Sequence, residues 1–274
     1  MPHETSLAVL FAASLLAGAQ NALAGGGSFV TLPALLLAGL DPRAANVTST
    51  VALFPGQVLS GWAGRRFVKG TPGLSFRALC AVSLVGGVMG AVLLLATPAA
   101  FFARLVPWLV MFATAVFAWG SFLRRPAAGV RHMGTLPAGF LQFLISVYGG
   151  YFGGGIGFLM LAALTTAGLA VRAAGATKNV LAAVMNLSAL LVFVWSPDVH
   201  WGPAAIVCVA AVLGGLTGAW LLQRVPERML RGGIIVVGVA LTIGLFLRPI
   251  SCLPSFRFND GDGEDFRDGS SWIA

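Results

Sequence analysis

The sequence predicts an all-α integral membrane protein of two inverted repeats, each of about five helical segments, with short broken or re-entrant helices after glycine-rich motifs. Three observations carry this expectation. Hydrophobic residues make up 58% of the 274 and charged ones only 9%, against roughly 25% charged in soluble domains. The chain repeats itself: residues 38–51 read AGLDPRAANVTSTV and residues 167–180 read AGLAVRAAGATKNV, each following a triple glycine, Gly25-Gly26-Gly27 or Gly153-Gly154-Gly155. A further pair, LVGGVMGAVLL from Leu84 and VLGGLTGAWLL from Val212, recurs at the matching offset. A two-fold repeat of gly-interrupted apolar segments is the pattern of a secondary transporter whose site lies between its halves.

Taken in order, apolar runs between charged or Pro/Gly breaks give segments at 6–24, 27–40, 45–63, 74–97, 101–123, 135–152, 155–169, 174–195, 202–223 and 230–249. Most reach the roughly 20 residues a helix needs to cross about 30 Å of hydrocarbon. The second and seventh, which follow the triple glycines, fall short and cannot span straight. One transporter domain therefore covers about residues 1–250, with repeat one at about 5–123 and repeat two at about 135–250.

Loop charge gives the inversion. The connection after the third segment carries Arg65, Arg66, Lys69 and Arg77, and the mid-chain linker carries Arg124, Arg125, Arg131 and His132, so both are placed in the cytoplasm. The fourth and fifth segments then turn outside near Pro98. In the second half the loop equivalent to 64–77 runs Ser196 to Pro203 without Lys or Arg, while the next carries Arg224, Arg228 and Arg231. Charge changes sides between the halves, and both termini are expected to be extracytoplasmic.

Leu7 to Ala19 has the make-up of a signal-peptide core, with Ala22-Leu23-Ala24 as its cleavage site. No Lys or Arg precedes the run, and stretch 135–152 occupies the same place in repeat two, so retention is expected. The tail, residues 251–274, is polar and expected to be disordered. Its Asp260-x-Asp262-x-Glu264 spacing resembles part of a calcium loop but lacks the remaining ligands.

A Gly triplet in an apolar region bares backbone groups that lipid cannot satisfy, so it is buried in protein or lines a wet cavity. The helix that starts there presents free N–H groups and a positive dipole end to an anion. Gly25, Gly26, Gly27 and Ser28 in repeat one, with Gly153, Gly154 and Gly155 in repeat two, are thus candidate substrate-binding residues. Close helix packing through small residues is the competing reading, and it is favoured for Gly86-Gly87 and Gly214-Gly215. A second constellation opens the third and eighth segments: Asn46, Thr48, Ser49 and Thr50, then Thr177, Lys178 and Asn179. Of these Thr48, Thr50, Thr177, Lys178 and Asn179 complete the candidate site. A buried cation such as Lys178 is costly unless it meets an anion or water; snorkelling to the cytoplasmic surface is the alternative. Gln20, Asn21 and Gln57 are buried amides for which helix-to-helix bonding serves as well as substrate contact. Tyr148 and Tyr151 read as packing aromatics.

Absences narrow the function. Five of nine acidic residues lie in the last fifteen positions and none sits inside a predicted span, which disfavours a carboxylate-lined cation path. There is no Walker phosphate loop, no clustered His or Cys for a metal, and no nucleophile–base pair, so neither a cofactor nor an enzyme activity is expected. The net charge of +8 belongs to membrane topology and not to a nucleic-acid patch interleaved with aromatics. The expected partners are a small anion and the lipid bilayer, and oligomeric state is not written in the sequence.

The stretch Ala24-Gly25-Gly26-Gly27-Ser28-Phe29-Val30-Thr31-Leu32-Pro33, the turn Ala45-Asn46-Val47-Thr48-Ser49, and the second copy Gly153-Gly154-Gly155-Ile156-Gly157 with Ala176-Thr177-Lys178-Asn179 resemble the sulfite exporter TauE/SafE family over about residues 5–250. The resemblance implies a multi-pass permease of the plasma membrane, most often the bacterial inner membrane, for sulfur-containing or organic anions such as sulfite or sulfonates. A passive anion channel and a non-transporting accessory subunit are the alternatives. Repeat two lacks a counterpart of Pro33.

Overall fold

A computed structural model describes residues 3–23, 26–119, 134–221 and 227–247. The tail and the mid-chain linker, including its Arg124, Arg125, Arg131 and His132, fall outside the described residues, as does Gly25. Ten α-helices and one short 3-10 turn, Arg65–Phe67, make up the ordered elements among those residues. The helices are α1 (His3–Leu23), α2 (Ser28–Leu37), α3 (Pro42–Gly64), α4 (Phe76–Ala96), α5 (Ala99–Ala118), α6 (Thr135–Tyr151), α7 (Ile156–Thr166), α8 (Val171–Phe193), α9 (Trp201–Leu221) and α10 (Glu227–Leu247).

Local chemistry sets the boundaries. Helix α3 begins three residues before the apolar run suggests, because the Asp41 carboxylate accepts from the Arg43 and Ala44 N–H groups at 3.0 and 3.2 Å and Pro42 fills the first turn. This is an N-cap followed by a proline whose missing donor costs nothing there. Ser75 caps α4 in the same way through the Ala78 N–H. Both short helices end in the Ala-Gly-Leu of the duplicated motif. Leu40 N–H bonds the Leu35 carbonyl and Gly39 N–H that of Leu36; Leu169 bonds Leu164 and Gly168 bonds Thr165. These are two copies of one C-terminal cap, which needs a left-handed residue, and Gly39 and Gly168 supply it at φ +96° and +101°. The ten residues of α2 rise only about 15 Å, half the hydrocarbon thickness.

Packing interleaves the halves. The two most extensive interfaces are α1 with α9 and α4 with α6, so the first helix of each half lies against the fourth helix of the other. Glycines make both crossings close: a Cβ on Gly18 would overlap the Ala211 carbonyl, one on Gly214 that of Leu15, one on Gly90 that of Val147 and one on Gly150 that of Gly87. The later glycine pairs are thus packing residues. In the centre α3 meets α8 antiparallel, with Gln57 against Asn186, Gly61 against Val180 and Gly64 against Ala176.

Two apolar cores result, one built mainly from α1, α2, α3, α5 and α9 around Leu35, Leu53 and Phe102 with Leu94 of α4, Phe193 of α8 and Leu245 of α10, the other from α4, α6, α7 and α8 around Leu79, Met160 and Met185. The outer faces are apolar as well: Leu84, Val85, Val88, Met89, Val92 and Leu93 of α4 are exposed, a stripe suited to acyl chains and not to water. Phe76–Ala96, Ala99–Val116 and Val171–Phe193 are long and apolar enough to cross a membrane.

Candidate functional site

The chain leaves α1 and α6 through glycine turns that bring α2 and α7 to the same place. A Cβ on Gly26 would lie 3.5 Å from the Gly155 nitrogen, and one on Gly153 3.7 Å from Ser28 Oγ. Gly26, Gly153 and Gly155 hold φ of +89°, +76° and +74°, conformations that turn the backbone sharply into each short helix. Gln20 fixes the first turn by donating from Nε2 to the Gly26 carbonyl at 3.1 Å. Ile156 and Gly157 open α7, and their N–H groups donate to no described group. Two positive helix ends therefore converge.

A small cavity lies at this junction, lined by Asn21, Gly26, Ser28, Gln57, Ser60, Gly153, Ile156, Gly157, Lys178, Asn179 and Ala182. Five of the sequence candidates meet there: Gly26, Ser28, Gly153, Lys178 and Asn179. Lys178 is 3% exposed and forms no ion pair or hydrogen bond among the described residues. It does not snorkel to the surface. Its neighbours in the lining are neutral amides and hydroxyls, which solvate charge without cancelling it.

The other candidates sit elsewhere. Gly27 packs against the Ala17 carbonyl, Gly154 against the Phe152 ring, and Gly155 against Ala113 and Phe29. Thr50 Oγ1 donates to the Asn46 carbonyl of its own helix at 2.9 Å. The Thr48 hydroxyl donates to the Asp198 carbonyl at 3.3 Å and accepts from the His200 N–H at 3.1 Å. Thr177, its counterpart in the repeat, donates to the Lys69 carbonyl and accepts from the Lys69 N–H, both at 3.0 Å. Each threonine thus pins a loop of the opposite half. Both are 0% exposed, so neither hydroxyl reaches the cavity.

Cavity residues outside the sequence candidates have a visible signal in part. Gln57 and Asn21 are amides in apolar helices, half-buried where the sequence suggests full burial, and Ser60 shares the Gln57 face of α3, one turn on. The Ile156 backbone belongs to the helix start that the second glycine triplet marks; Gly157 and Ala182 contribute backbone or bare surface, which residue chemistry does not announce.

In the other half the corresponding polar side chains are paired with protein groups. Ser49, at the repeat position of Lys178, has its Oγ 2.6 Å from Thr31 Oγ1, and Asn46 Nδ2 donates to the Tyr151 carbonyl at 3.0 Å. Beside them Arg43 bridges the halves: Nε is 3.0 Å from Asp198 Oδ2, Nη2 donates to Oδ1 at 3.1 Å, and Nη1 donates to the Thr97 carbonyl at 3.2 Å. Its repeat partner Arg172 instead stacks over the Phe67 ring at 4.0 Å. Tyr148 and Tyr151 pack edge-on against Phe112 and Phe102, as packing aromatics do.

The family model described as Sulfite exporter TauE/SafE matches residues 10–245. "Probable membrane transporter protein ORF9" of Sinorhizobium sp is 31% identical over 251 residues, 89% of this chain and 93% of that protein. "Probable membrane transporter protein YfcA" of Escherichia coli (strain K12) is 29% identical over 248 residues, 87% and 89% of the two chains. A Haemophilus influenzae "Probable membrane transporter protein" is 25% identical over 244 residues, covering 86% and 92%. No solved structure matches.

Proposed function

The chain belongs to the sulfite exporter TauE/SafE family, and from that membership we propose that it is a secondary transporter of small sulfur-containing or organic oxyanions, such as sulfite or sulfonates, in the plasma membrane. The observation that carries this reading is Lys178, buried without a counter-charge in a cavity where the N-termini of α2 and α7 converge. Two dipole ends, a lysine ammonium and several amide and hydroxyl donors form a site for an oxyanion. A cation would meet repulsion from every charged feature of it.

Alternating access follows from inverted repeats in this reading. Antiparallel α3 and α8, the reciprocal α1–α9 and α4–α6 pairings and the repeat-equivalent threonine pins support the inversion. Lys178 lines a cavity unpaired, whereas the other half carries the Thr31–Ser49 and Arg43–Asp198 pairings, an asymmetry that supports one end state. The cavity lies toward the end of α3 that leads into Arg65, Arg66 and Lys69, the loop whose positive charge reads as cytoplasmic.

Proteoliposome uptake of radiolabelled sulfite and a panel of sulfonates tests the proposal. Saturable flux is expected for at least one anion, and Lys178→Met should weaken its binding by tenfold or more, as loss of a charge-assisted partner worth about 1.5–3 kcal/mol requires. Folded protein that moves no anion of the panel would sink the assignment.

A further inference from the structure

We infer that Lys178 also carries the coupling ion: it holds the anion as an ammonium, gives up a proton when the site is empty, and so makes the protein an anion–proton symporter. This inference rests on the anion site proposed above and adds the second substrate. An empty cavity places the ammonium beside two positive helix ends with no acid to offset them. Acidic residues among the described ones stand at helix termini or in loops: Glu4, Asp41, Asp198 and Glu227. Asp41 is spent on capping α3 and Asp198 on Arg43.

Every element packed against α8 leaves Lys178 alone. Helix α3 brings Arg43, held by Asp198 and the Thr97 carbonyl. Helix α4 brings Arg77 and Cys80, α6 brings Tyr148 and Tyr151, the 3-10 turn brings Arg65 and Arg66, and α7 brings no titratable group. Arg172 on α8 itself stacks on Phe67. None of these lines the cavity, whose remaining side chains are neutral. A buried cation with no partner is costly to keep, and an arriving anion removes that cost. The proton bound to Nζ as the anion enters leaves to water when the anion departs on the other side. For a monovalent anion the occupied site is then neutral relative to the empty one, and one proton crosses with each anion.

Methanesulfonate is the probe that isolates the protein's own proton, because a sulfonate is ionised throughout the working pH range. Proteoliposomes carrying a trapped pH indicator are given radiolabelled methanesulfonate with and without an inwardly directed proton gradient. The gradient is expected to concentrate the anion several-fold, the lumen to acidify by about one proton per anion, and an imposed membrane potential to leave the rate unchanged. Lys178→Arg, which retains the positive charge but does not release it, should still bind methanesulfonate and lose gradient-driven accumulation. Anion flux with no proton movement, or full coupling in Lys178→Arg, overturns the inference and leaves the anion site standing. Absence of flux for methanesulfonate and every other anion tested overturns both.

Discussion

At the scale of single residues, the chemistry of this protein divides along the helical turn. Thr177 and Lys178 are neighbours in sequence, but about 100° separates their side chains around α8. One pins a loop and the other enters the cavity. The sequence grouped Thr48, Thr50, Thr177 and Asn179 with the outlying cation Lys178 because all are polar groups in an apolar setting. Which of them face the site depends on how α3 and α8 are rotated, and that is decided by Gly61 and Gly64 lying against Val180 and Ala176. Thr48→Val should therefore act on stability. It strands the part-buried His200 N–H and Asp198 carbonyl, at a cost of about 1 kcal/mol or more. Thr177→Val should cost a similar amount, whereas Thr50→Ala, losing only a bond within its own helix, should cost less. Thermal unfolding of purified protein in detergent orders the three, and a Thr48→Val protein as stable as the parent would remove the loop-pinning role.

At the scale of elements, glycine content is where sequence and structure agree by purpose. The doubled motif marked α2 and α7 as short, and their length is fixed by the Gly39 and Gly168 caps. Their lower boundaries were legible from the same letters. Less legible were the starts of α3 and α8, where polar or charged residues (Arg43, Arg172) sit inside the first turn and hide the helix from an apolar-run reading. Which glycine mediates a crossing was also partly open, since a small residue looks the same beside a helix and beside empty space. Gly18→Ala should force α1 away from the Ala211 carbonyl of α9 and cost about 1–3 kcal/mol as overpacking. Gly175→Ala is the control: nothing lies within 4 Å of a Cβ there, and better helix propensity should stabilise α8 by about 0.5–1 kcal/mol. Chemical or thermal denaturation of the two variants should give shifts of opposite sign.

At the scale of the whole molecule, the boundary between the repeats in sequence is not a boundary in space. Rocking of repeat one as a block against repeat two, the motion a duplication suggests, would have to tear α1 from α9 and α6 from α4. Any moving bodies of the proposed transporter are then mixed, with each half lending its first helix to the other. The duplication was plain from the letters, but this exchange was not, because partner choice depends on the shapes of two distant surfaces such as Leu15–Gly18 and Ala211–Gly214. Cutting the chain within residues 120–133 tests it. Residues 1–119 or 134–274 expressed alone should fail to give folded protein, and co-expression should restore a complex that runs as one species on size exclusion. A stable, monodisperse single half would show that the exchange is dispensable. The same exchange also imposes an order in time. Helix α1 is synthesised first, yet the groove that receives Gly18 is not complete until α9 emerges, on the order of ten seconds or more later at ordinary rates of translation. Through that interval the opening helix stands with its small-residue face unmatched, and the final architecture closes only when nearly the last helix has arrived.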